Sequence, residues 1–150
     1  MTKKTIFGIN GPVITVADTQ GFSMAEMVYV GQDRLVGEVI GIKEDRTVIQ
    51  VYESTTGLKA GEPVVGAGAP MSLALGPGII GNIFDGIQRP LRDVEKASGP
   101  FIARGSAVSP LDTERKWSVE VTVKEGDTLV PGDVYATCPE TPVITHKVML

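Results

Sequence analysis

One cysteine, Cys138, and one histidine, His146, stand in 150 residues, and that scarcity removes whole classes of chemistry. A lone thiol closes no intramolecular disulfide and builds no multi-cysteine metal site, so the chain reads as a protein of a reducing compartment, with the cytoplasm expected. Cys138 also has no activating cation in sequence, since Pro139 and Glu140 follow it, and reads as a packed small side chain. A lone imidazole excludes multi-histidine metal sites and leaves any Ser-His-Asp proposal resting on one ring in a predicted strand. Long apolar runs are missing too. Ile6-Phe7 is interrupted by Gly8 and Asn10, too early for a signal peptide, and no stretch approaches the roughly 18 apolar residues of a membrane span. No direct membrane insertion is expected. Basic charge is in deficit: 14 Lys and Arg against 18 Asp and Glu give a net charge of −4, which argues against a nucleic-acid partner. No Gly-Lys-Ser/Thr triplet occurs, so the chain has no phosphate loop with its lysine and hydroxyl.

Punctuation, by contrast, is plentiful. With 18 glycines and 10 prolines, long helices have little room and a mainly β fold is expected. Thr5–Ile9, Pro12–Ala17, Met27–Val30, Leu35–Ile42, Thr47–Tyr52 and Glu62–Ala67 are short, β-branched-rich runs between turn clusters. Gly31–Arg34 and Lys43–Arg46 join three of them into an antiparallel meander. Consecutive short strands with close turns predict a small antiparallel β-barrel over residues 1–70, a closure that also removes exposed strand edges. A Gly/Pro-rich connector follows over residues 71–112. Its one helical candidate is Leu91–Ala97, stopped by Ser98-Gly99-Pro100. In residues 113–150, Trp117, Val119, Val121 and Val123 alternate with polar residues, the period of a half-buried strand. Thr128–Val130, Val134–Thr137 and Val143–Leu150 are further strand candidates, and the apolar ending Val148-Met149-Leu150 reads as a truncation.

Several motifs invite a chemical reading. Gly76 to Gly81 satisfies Gly-x-Gly-x-x-Gly, but Pro77 removes an amide and Gly86 and Pro90 interrupt any helix behind it, so a structural turn is the better reading. Gly66-Ala67-Gly68-Ala69-Pro70 lacks the lysine and hydroxyl of a phosphate loop. The carboxylates of Glu44, Asp45, Glu53, Glu62, Asp93, Glu95, Asp112 and Glu114 fall in turns or on polar faces and form no evident catalytic pair. The turns around Gly126-Asp127 and Gly132-Asp133 resemble those of lipoyl and biotinyl carrier domains. Those carriers display a lysine at a hairpin tip, whereas Lys147 lies inside a predicted strand, which favours a similar barrel-sandwich fold without the modification.

The densest segment is Gly76 to Leu91, GPGIIGNIFDGIQRPL. Gly76, Gly78, Gly81 and Gly86 can take positive φ, while Pro77 and Pro90 fix φ and remove donors, so a specific backbone path is expected. Gly76, Pro77, Gly78, Asp85, Gly86, Arg89 and Pro90 are the candidate residues of this structural joint, with Asp85 or Arg89 supplying hydrogen bonds that hold the turn. No catalytic, cofactor-binding or metal-ligating residue is nominated. This string, with VGQDRLVGEVIGI at Val30–Ile42, IQVYESTTGLKAGEPV at Ile49–Val64, ERKWSVEVTVKEGD at Glu114–Asp127 and THKVML at Thr145–Leu150, closely resembles the N-terminal portion of the catalytic A subunit of V-type and archaeal-type rotary ATPases.

The resemblance implies a barrel that joins the crown of a ring of alternating A and B subunits, a joint, and part of the bulge domain that faces the peripheral stalk. It implies a parent subunit that couples ATP hydrolysis or synthesis to proton or sodium movement, cytoplasmic and peripheral to the membrane through the assembled enzyme. The family's phosphate-binding lysine, catalytic glutamate and magnesium ligand lie in sequence beyond the part matched here. ATP and magnesium therefore belong to the parent, and this chain alone is expected to be inactive. The alternatives are a lipoyl- or biotinyl-like carrier and a standalone non-catalytic binding module related to that subunit.

Overall fold

Short hairpin turns set the topology of the first half. In the computed structural model, which describes residues 3–17 and 20–150, β1 (Lys3–Asn10) and β2 (Val13–Val16) are joined through Gly11, whose φ of 57° suits a tight hairpin. Met1 and Thr2, at the head of the segment weighed as a leader, lie outside the described residues. Next come β3 (Glu26–Val30), β4 (Leu35–Ile42) and β5 (Thr47–Val51), the expected meander, and then β6 (Pro63–Pro70). All neighbours are antiparallel, and the order β1-β2-β5-β4-β3-β6 closes when β6 pairs back onto β1. The predicted barrel is the observed one.

The period-two pattern in sequence becomes the barrel interior. Ile14 stands in register with Ile49, and Ile49 with Val39, so three fully buried branched side chains form one layer. Val30 likewise faces Leu35 on one side and Val64 on the other. At about 1.5–3 kcal/mol for each fully buried aliphatic side chain, these layers dominate the barrel's stability. One carboxylate sits among them. Glu26, 4% exposed, accepts the amides of Ser23 and Gly68, each at 2.8 Å. Gly66 makes this possible, because a Cβ there would overlap the Glu26 carboxylate.

The chain divides into two compact units: the barrel with residues 102–106, and residues 73–101 with 107–150. The second unit holds α1 (Leu91–Ser98), one residue longer than expected. The helix starts after Pro90 and stops at Gly99, whose φ of 78° lets its amide reach the Glu95 carbonyl at 2.7 Å. Val94 is its one buried residue.

A three-stranded sheet of β7 (Glu120–Val121), β8 (Val134–Thr141) and β9 (Ile144–Met149) completes that unit, with Ala136 and Cys138 buried. Two strand expectations are corrected here. The alternating run Trp117–Val123 forms a strand only at Glu120 and Val121, with Thr122 giving its amide to the Tyr135 carbonyl at 2.9 Å before the run leaves β8. Val119 and Val121 stay 53% and 64% exposed, while Trp117 packs within 3.4 Å of where a Cβ on Gly78 would stand. Thr128–Val130 forms no strand, since the Val130 amide is given to the Asp133 carboxylate at 2.8 Å and so caps a turn.

Candidate functional site

The joint is a clasp built around Asp85. A bridge between Phe84 and Pro90, with the Leu91 amide on the Ile83 carbonyl at 2.9 Å, brings the ends of the turn together. Inside it, Asp85 Oδ1 accepts the amides of Ile87 at 3.0 Å and Arg89 at 2.9 Å, and Oδ2 accepts Arg89 Nε at 2.7 Å. The pair is well shielded, with side chains 17% and 11% exposed. Burial alone would raise the Asp85 pKa, but the Arg89 amide and guanidinium, the Ile87 amide and the Arg89 charge outweigh it and hold the carboxyl below its ordinary 3.8.

The glycine expectations divide. Gly78 and Gly81 take φ of 101° and 87°. Gly76 and Gly86 lie outside the left-handed region, and the strained position in this turn belongs instead to Gln88, with φ of 62°. At Gly76 the requirement is closeness, since a Cβ would stand 3.0 Å from Leu111 Cδ1. Gly86 has open space where its Cβ would be. Gln88 is fixed by a reciprocal pair: its Nε2 donates to the Ala74 carbonyl at 2.7 Å and its Oε1 accepts the Ala74 amide at 2.8 Å.

Sequence reading missed both Gln88 and Glu140. The Glu140 Oε1, on β8, accepts the amides of Gly78 at 2.7 Å and Ile80 at 3.2 Å. The turn resembling a dinucleotide fingerprint therefore does hold an anion, but the anion is the chain's own carboxylate. Asn82 Nδ2 closes the same turn on the Gly78 carbonyl at 2.7 Å. The fold brings together partners 62 residues apart in sequence, and spacing within a motif carries no trace of such a pair.

Other candidates are placed as follows. His146 lies on β9 opposite Cys138, and Lys147 opposite Thr137. The tip of the β8–β9 hairpin, between Thr141 and Ile144, contains no lysine, so a carrier lysine has no display position there. An open polar cavity of about 250 Å³ beside α1 is lined by Arg92, Asp93, Lys96, Arg115 and Trp117. Its charges are partly committed: Lys96 pairs with Asp93 at 2.7 Å and Arg115 stacks over the Trp117 ring at 3.9 Å. Among the described residues no group of three or more His, Cys, Asp and Glu is arranged to hold a metal ion. What the joint does chemically is bind its own backbone.

This architecture coincides with two known domain descriptions. Residues 6–68 match the ATP synthase alpha/beta family, beta-barrel domain, and residues 108–150 match the ATP synthase alpha/beta subunit barrel-sandwich domain. The chain belongs to the ATP synthase alpha/beta family. Within it, the V-type ATP synthase alpha chain of Halothermothrix orenii is 53% identical over 148 residues, 99% of this chain and 25% of that protein. The A subunit of the A-type ATP synthase of Methanopyrus kandleri is 50% identical over 148 residues, again 99% and 25%. For its counterpart in Pyrococcus abyssi the identity is 44% over 150 residues, the whole of this chain and 15% of that one. The chain thus corresponds to an N-terminal part of the V/A-type A subunit. It spans a quarter or less of the length of these relatives. Among the described residues no helix is long and apolar enough to cross a membrane.

Proposed function

We propose that this chain is the assembly part of the catalytic A subunit of a V/A-type rotary ATPase, whose parent couples ATP hydrolysis or synthesis to proton or sodium transport. In this reading the barrel joins neighbouring B subunits in the crown of the ring and the barrel-sandwich portion faces the peripheral stalk. The complex sits at the cytoplasmic face of the membrane. The observation that carries the reading is the match to A subunits over 99% of the chain in a sequence with no Gly-Lys-Ser/Thr triplet. In this reading the exposed Phe7, Ile9, Met24, Ile40 and Ile42 of the barrel unit are the apolar side chains that neighbouring subunits cover.

ATP and magnesium belong to the parent subunit, because this chain lacks the loop amides, lysine and hydroxyl that hold phosphates. Calorimetric titration with Mg-ATP tests this half of the reading. No saturable heat is expected, and binding tighter than about 1 mM, roughly 4 kcal/mol, would overturn it.

A further inference from the structure

Residues 102–106 belong to the barrel unit, although residues 73–101 before them and 107–150 after them belong to the other. The attachment is specific. The Arg104 guanidinium donates to the Thr56 carbonyl and to the Asp33 carboxylate, and the Gly105 amide donates to the Glu53 carboxylate at 2.9 Å. Gly105 has φ of 67°, and a Cβ there would overlap the Asp33 carbonyl oxygen, so this position accepts only glycine at this approach. The acceptors come from two separate places, the β3–β4 turn (Asp33) and the loop after β5 (Glu53 and Thr56). One guanidinium therefore bridges two loops that are separate in sequence.

We propose that residues 102–106 are a releasable latch, with Arg104 as its bolt and Gly105 as its seat. Asp33 is 48% exposed and Arg104 33%, so salt screens the ion pair and the latch opens reversibly. The consequence lies in the chain's path. While the strap is docked, the chain passes between the two units at residues 72–73, 101–102 and 106–107. Once it is released, residues 102–106 no longer belong to the barrel unit. The latch therefore sets whether residues 102–106 stay docked on the barrel.

Trypsin reads the state of the latch directly, because it must take the Arg104 side chain into its own pocket to cut the Arg104–Gly105 bond. In the full chain, Asp33→Asn removes the charged acceptor and Gly105→Ala removes the seat, and both keep the cleavable arginine. Cleavage at Arg104 is expected to rise at least about tenfold in Gly105→Ala and by a smaller factor in Asp33→Asn, tracking the open population. In the wild-type chain it rises with salt between about 0.01 and 1 M, a test that needs no variant to fold. Hydrogen exchange across β1–β6 should stay unchanged, which separates unlatching from unfolding. A wild-type chain cut at Arg104 as fast as both variants and insensitive to salt would overturn the proposal. So would faster cleavage accompanied by loss of barrel protection.

Discussion

Replacing Asp85 with alanine tests whether the joint is held by a charge or only by its glycines and prolines. The substitution removes the acceptor of two backbone amides, those of Ile87 and Arg89, and of the Arg89 Nε. Each shielded donor left without an acceptor costs about 1–3 kcal/mol, and breaking a buried ion pair by removing one partner typically costs about 3–5 kcal/mol. A loss of about 3–5 kcal/mol follows. Asp85→Asn keeps one oxygen for the amides but puts an NH2 where the acceptor of Arg89 Nε stood and removes the charge, so about 1–3 kcal/mol is expected. The pH dependence has a definite sign. Because the folded carboxyl titrates below its ordinary 3.8, its stabilisation is fully present above that value and disappears as pH falls through the lower, folded one. Urea unfolding followed by the fluorescence of Trp117, the one tryptophan, reports on the unit that contains the clasp. An alanine variant within about 1 kcal/mol of the wild type, or a gap between wild type and asparagine variant that persists in acid, would refute the reasoning.

Three further outcomes are expected. Gly86→Ala should change stability by no more than about 0.5 kcal/mol, since its Cβ position is open and its φ is ordinary for any residue; the same unfolding curve measures it. Ile49→Ala should destabilise the barrel by about 2–5 kcal/mol by opening a cavity between Ile14 and Val39, seen as faster hydrogen exchange confined to β1–β6. Tyr52 should ionise late, at about 12 against an ordinary 10.0, because Glu38 accepts its hydroxyl hydrogen, burial disfavours phenolate and the Glu38 charge repels it. Ultraviolet titration of Glu38→Gln should move that ionisation back toward 10.0. In the wild type, any stability from this pair is present below 10.0 and lost as pH rises through 12.

The barrel was legible because its information is local. Turns at Gly31–Arg34 and Lys43–Arg46 join nearest neighbours, and alternation such as that of β3 and β4 converts directly into an inward and an outward face. The second unit was legible in outline only. The alternation at Trp117–Val123 is as regular as any in the barrel, yet a strand also needs a partner, and β8 meets the run only from Glu120 to the Thr122 amide. The joint was found from its glycines and prolines, but the distribution of strain within it was not. Gln88 accepts a positive φ because its side chain is anchored on Ala74, and Glu140 reaches the Gly78 turn from far along the chain. Both depend on tertiary contacts that leave no periodicity to read.

Assembly is the central claim, and sedimentation velocity of the purified chain mixed with B subunits of its parent enzyme tests it most directly. The account predicts a saturable heavier species that forms without nucleotide and weakens when the barrel's exposed apolar surface is made polar, for example in Phe7→Asp. If the chain and the B subunits sediment independently across the accessible concentration range, or if complex formation ignores the barrel substitution and requires Mg-ATP, the account is contradicted.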